Sequence, residues 1–133
     1  MAHVANGSFE VSVKPLPSEE HESAKFGRMS IDRVISGDLT ATTKGQMLTA
    51  GTDTQGSAAY VAIEHVTGSL NGHAGTFFLQ HSATMNRGEP TMSITVVPDS
   101  GTGELKGLVG TFNITMAAGR HSYEFTYRIG EDS

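Results

Sequence analysis

Apolar and polar residues alternate along most of this chain. Phe9, Val11 and Val13 alternate with Glu10, Ser12 and Lys14, the period-two pattern of a strand with one covered face. Pro15 and Pro17 end that run, because proline has no N–H to give to a ladder. The polar stretch from Pro17 to Ser23 reads as a loop, and it is the one place where a short helical turn is expected. Over residues 27–36, Met29, Ile31 and Ile35 share a parity, with Arg33 among them. A third strand starts at Leu39 and runs on through Met47 and Leu48. A fourth covers residues 57–67. There Tyr60, Ala62, Glu64 and Val66 share one face, and Val61, Ile63 and His65 share the other. Both faces are apolar enough that parity does not choose the inner one. Strands over 75–85 and 91–97, one ending near Met116, and one over 121–129 complete the series.

About eight short strands with turn chemistry between them fit a sandwich or an up-and-down barrel. The connections read as hairpin-length, and closure removes exposed edges. The expected fold is therefore all-β, a single domain (1–133) forming an antiparallel up-and-down barrel of about eight strands.

An internal repeat sharpens this reading. Gly68, Leu70, Gly72, Gly75, Thr76 and Phe77 recur 35 positions later as Gly103, Leu105, Gly107, Gly110, Thr111 and Phe112. Aligning the copies puts Phe77, Leu79, His81, Ala83 and Met85 on the face of Phe112, Ile114 and Met116. That face is apolar and is assigned to the interior. Thr76, Gln80 and Ser82 fall on the polar outer face with Thr111, Asn113 and Thr115. Phe78 is the aromatic exception there, which points to an interface. Asn71 and Gly72 supply a hairpin turn, since both tolerate positive φ. Met29, Met85, Met92 and Met116 are expected to fill the interior, as methionine commonly does.

Composition removes several functions. No cysteine is present, so disulfides, thiolate metal sites and cysteine nucleophiles are excluded. The net charge is −5, with nine Lys and Arg scattered along the chain. A nucleic-acid footprint is basic and clustered, so no nucleic-acid partner is expected. The start of the chain has no basic region or apolar core of a secretory signal. No apolar run is long enough to span a membrane as a helix. A cytoplasmic location is the expectation.

Residues 57–127 resemble an uncharacterised bacterial domain-of-unknown-function family. The resemblance lies in Ala59–Glu64, Gly68–Gly72, Gly75–His81, Pro98–Leu105, Gly107–Ile114 and His121–Tyr127. Members of that family look like small calycin-type barrels similar to allene oxide cyclase. The resemblance implies an allene oxide cyclase-like barrel and a homo-oligomer. It implies no agreed activity, and no catalytic role is carried over from the plant enzyme.

The polar groups on interior faces are the candidate chemistry. Tyr60, Glu64, Phe77, His81, Phe112, His121, Tyr123 and Tyr127 form the candidate ligand-binding set. His81 and Glu64 are the candidates for proton transfer. The competing structural reading is that these groups hydrogen-bond one another and tie strands together. Arg33 either pairs with Glu64 across the barrel or lies near a strand end and reaches water, and the second is the expectation. Ser82 cannot use His81 as a base, because neighbours on a strand point to opposite faces. His65, His73 and His81 share a parity, but a turn separates them, so no metal site is expected. The glycines around Thr102 lack the lysine and the helix of a phosphate loop. No cofactor is implied. Three functions stay open: binding of a small apolar molecule inside the barrel, an isomerase or cyclase using an interior His or Glu, and a structural oligomer with a filled core.

Overall fold

The computed structural model describes residues 2–16, 26–117 and 119–130. Eight strands follow one another around a closed barrel: β1 (His3–Pro15), β2 (Phe26–Gly37), β3 (Leu39–Gly51), β4 (Ala58–Leu70), β5 (His73–Asn86), β6 (Glu89–Val96), β7 (Val109–Ala117) and β8 (Arg120–Arg128). Every pairing is antiparallel, and β8 returns to β1 with Phe125 opposite Ala5. The up-and-down barrel read from the pattern is the fold observed. The seams differ in strength. β4 and β5 pair along their whole length, from Ala58 opposite Met85 to Leu70 opposite His73. Among the described residues β6 meets β7 at one pair, Thr95 opposite Thr111.

Local chemistry explains the turns. Asn71 (φ 47°) and Gly72 (φ 87°) both occupy the left-handed region, which matches the twist of the flanking strands. The connection between β6 and β7 is longer than the hairpin length expected and runs from Val97 to Leu108. It contains a 3-10 turn, Gly103–Leu105, and it is anchored on β5 by the Thr102 N–H, which donates to the Thr76 carbonyl at 2.9 Å. The repeat gives the reason. Leu70 ends β4 and Leu105 ends the 3-10 turn, yet both are fully buried. The second copy brings its leucine into the core by a different backbone route. The helical turn expected between Pro17 and Ser23 lies outside the described residues.

The interior divides along the barrel axis. One end is filled. Ala5, Leu39, Leu70, Phe77, Leu105, Leu108 and Phe125 are all fully buried there, and Phe125 contacts both Phe77 and Phe112. The other end is a mouth. Met85, Met92 and Met116 keep interior parity, but they are 42%, 52% and 63% exposed. The expectation that they fill the core is corrected: they rim the mouth. Alternation reports which face a side chain takes, not how deep along the axis it sits. No helix among the described residues is long and apolar enough to cross a membrane.

Tyrosines from β8 lock the filled end. The Tyr123 hydroxyl accepts from the Leu39 N–H at 3.0 Å and donates to the Ser36 carbonyl at 2.8 Å. A Cβ at Gly7 would lie 2.6 Å from that hydroxyl oxygen, so glycine leaves the room the lock needs. Asn71 donates to the Tyr127 hydroxyl at 2.6 Å. Tyr123→Phe is expected to destabilise the barrel by about 1–3 kcal/mol, since it strands a buried N–H. Urea unfolding with an unchanged midpoint would show that the lock contributes nothing.

Candidate functional site

Four adjacent strands bring polar side chains together at the middle of the barrel. Arg33 on β2 stands opposite Thr43 on β3. Glu64 on β4 stands opposite Gly45 and next to Leu79 of β5, and His81 of β5 lies opposite Ala62. Gly45 allows the close approach, because a Cβ there would fall 2.8 Å from the Glu64 Cα. Glu64 accepts hydrogen bonds from Arg33 Nε (2.6 Å), Arg33 Nη2, the Thr43 hydroxyl and His81 Nε2 (2.8 Å). Thr43 Oγ1 in turn accepts the Arg33 backbone N–H at 2.9 Å. All four side chains are buried.

These contacts decide the protonation states. Burial alone raises the Glu64 carboxyl. The hydrogen bonds from His81 and Arg33, the Arg33 charge and the Thr43 hydrogen bond outweigh it and hold the group at about 2, against 4.5 ordinarily. A carboxylate offers about four lone-pair directions, and here all four are taken. Glu64 is therefore an orienting anion and a poor proton acceptor. Because it only accepts, His81 Nε2 carries the hydrogen, which leaves Nδ1 as the ring nitrogen able to exchange a proton.

Arg33 is 2% exposed, which corrects the expectation that it reaches water. The strand runs on past it to Phe26, so Arg33 lies well inside the barrel. Its Cζ sits 4.7 Å from the centre of the Phe9 ring and 5.0 Å from that of Phe112, a favourable cation–π arrangement for a guanidinium.

Above this network the mouth holds a pocket of about 660 Å3, lined by Thr49, Ala58, Tyr60, Ala83, Met85 and Met92 among others. Tyr60 is half-buried. Burial raises its phenol pKa. The Arg33 charge opposes that rise and the Glu64 charge adds to it.

The candidate set is thus divided. Glu64 and His81 come together, and Tyr60 stands above them on the pocket wall. Phe77 and Phe112 pack in the interior, Phe112 stacking on Tyr123 at 5.0 Å. Tyr123 and Tyr127 act as ties. His121 lies against the Phe9 ring at 5.1 Å and borders a separate polar groove with Ser8, Glu10 and Arg120. Thr43 escaped the sequence reading, because a threonine within a threonine-rich strand carries no chemical mark. Arg33 did carry one, a charge on an apolar parity. Among the described residues no cluster of three or more His, Asp or Glu is placed to hold a metal.

On the outer wall Leu48 pairs with Val61, and Ile63 and Phe78 lie nearby, all four well exposed. Phe78 packs on His65 at 4.7 Å.

The family model described as "Protein of unknown function (DUF3224)" matches residues 5–127. The fold is similar to the crystal structure of a protein with unknown function from the DUF3224 family of Shewanella oneidensis MR-1. The two chains are 40% identical, with 98% of each covered and a TM-score of 0.93. No curated protein matches the chain.

The depressed Glu64 carboxyl stabilises the fold above its ordinary value of 4.5, and that contribution is lost as pH falls towards 2. A shift of this size is worth on the order of 3 kcal/mol. The wild-type thermal midpoint is expected to fall across this window, while Glu64→Gln, already destabilised at neutral pH, falls less. Parallel curves for the two proteins would remove Glu64 from the acid transition.

Proposed function

Since this chain belongs to the DUF3224 family of proteins of unknown function, its role has to be sought in the site itself, and we propose that the open end of the barrel binds a small apolar molecule. The observation that carries this reading is the mouth pocket. Its volume of about 660 Å3 falls within the roughly 300–1,000 Å3 usual for small-molecule sites. Alanine and threonine supply four wall residues each, and Met85, Met92, Pro90 and Tyr60 are among the rest. Methionine side chains adapt their shape to a guest. A core filled from end to end would have argued for a purely structural barrel, and here only one end is filled. The Glu64–His81 pair favours a second reading, an isomerase or cyclase in which His81 Nδ1 moves a proton and Glu64 holds the ring.

N-phenyl-1-naphthylamine, a neutral dye that brightens in apolar surroundings, is expected to bind the wild-type protein saturably. Ala83→Trp fills the pocket and is expected to weaken that binding about tenfold or more. Equal binding by this variant would place the dye elsewhere.

The outer patch supports self-association as part of the same proposal. Its apolar centre (Leu48, Val61, Ile63 and Phe78) is flanked by Arg28 beside Leu48, and by Asp32 opposite Lys44. Charges of both signs on one rim suit two-fold pairing of identical surfaces. Light scattering is expected to give more than the monomer mass for the wild type and the monomer mass for Ile63→Lys. A monomer mass for the wild type across micromolar concentrations would contradict the pairing.

A further inference from the structure

Among the described residues nothing binds one nitrogen of the Arg33 guanidinium. Nε and Nη2 are taken by Glu64, and the Phe9 and Phe112 rings lie against the group. Nη1 is buried and has no hydrogen-bond partner among the described residues. Buried polar atoms without partners are rare in folded proteins and ask for an occupant. A guanidinium only donates, so the missing atom is an acceptor.

Charge decides which kind of acceptor. The positive Arg33 and the negative Glu64 already cancel, and the Thr43 and Tyr60 hydroxyls add no charge. An entering carboxylate would bring an unbalanced negative charge beside Glu64 in a buried site, which is costly. A carbonyl oxygen accepts the hydrogen bond and adds no charge. Leu39, Leu70, Leu105 and Phe125 fill the far end, so an acceptor has to come from the mouth, where the pocket wall reaches Tyr60 and Ala83 and does not include Arg33 itself. Tyr60, Ala62 and Glu64 follow one another down the inner face of β4, which places a phenol hydroxyl on that path.

We propose that the mouth takes an apolar molecule bearing a neutral carbonyl group, inserted oxygen first, with Arg33 Nη1 donating to that oxygen and Tyr60 donating alongside. This rests on the reading of the mouth as a ligand site, and it names the head group that the site selects.

Three ten-carbon compounds separate the possibilities: butyrophenone (a ketone), butylbenzene (the same skeleton without oxygen) and 4-phenylbutyrate (a carboxylate). Each displaces N-phenyl-1-naphthylamine from the full chain at about pH 8, where free imidazole is uncharged. The ketone is expected to compete about tenfold better than butylbenzene, as a hydrogen bond from a charged donor allows. The carboxylate is expected to compete worse than the ketone. Tyr60→Phe is expected to shrink the ratio of ketone to hydrocarbon. In the wild-type protein the infrared carbonyl stretch of 13C-labelled butyrophenone moves to lower wavenumber on binding, a readout that needs no Arg33 variant to fold. Equal competition by ketone and hydrocarbon with an unshifted stretch overturns the head-group inference and leaves the apolar site standing, and so does tighter binding of the carboxylate. A wild-type protein that binds no dye overturns the site and this inference together.

Discussion

Everything at the centre of this barrel hangs on one carboxylate with no lone pair to spare. Glu64 gathers donors from β2, β3 and β5 onto a single side chain of β4. A buried ion pair is weak evidence of stability, because desolvation offsets much of the attraction. Its effect on register is easier to argue. Slipping β4 by one residue would turn Glu64 to the outer wall and bring Ile63 or His65 inward. Arg33 would then be left charged in an apolar interior. Few alternative registers satisfy those donors, so the network selects among strand alignments that apolar packing alone would leave close in energy.

The same saturation shapes the chemistry. A carboxylate held at about 2 and bound on every side does not cycle protons, so it serves by fixing its neighbours. His81 is set in one tautomer. Arg33 is held by its Nε and Nη2 edge and against two rings, which leaves a rigid donor beneath an adaptable apolar rim. Rigidity below and plasticity above fit the proposal made for the mouth, in which one end of a guest is recognised strictly and the rest loosely.

Faces were legible in the sequence, and depths were not. Parity and the repeat placed Phe77, Leu79, His81 and Phe112 inward, and all four are buried. The inner face of β4 stayed open, because Val61 and Ile63 are as apolar as their inward neighbours. In the folded barrel they form the outer patch. How deep a residue lies depends on the stagger between strands, which is set by pairings far apart in the chain. For that reason Met92 and Met116 read as core and lie at the rim, while Arg33 read as reaching water and lies at the centre. The 3-10 turn at Gly103–Leu105 was hidden for a different reason. Its sequence matches a strand-and-turn segment in the first copy, where Leu70 ends β4.

The single pair that joins β6 to β7 among the described residues gives the molecule two kinds of ends. By covalent order the chain opens between β8 and β1, yet those strands are firmly laddered, with His3 opposite Tyr127 and Phe9 opposite His121. By strand pairing the weakest seam is the one between β6 and β7. Seen that way, the protein is an eight-stranded ribbon running from β7 through both termini to β6, rolled until its margins touch. That weld lies two strands round the wall, across β7 and β8, from the seam between β8 and β1.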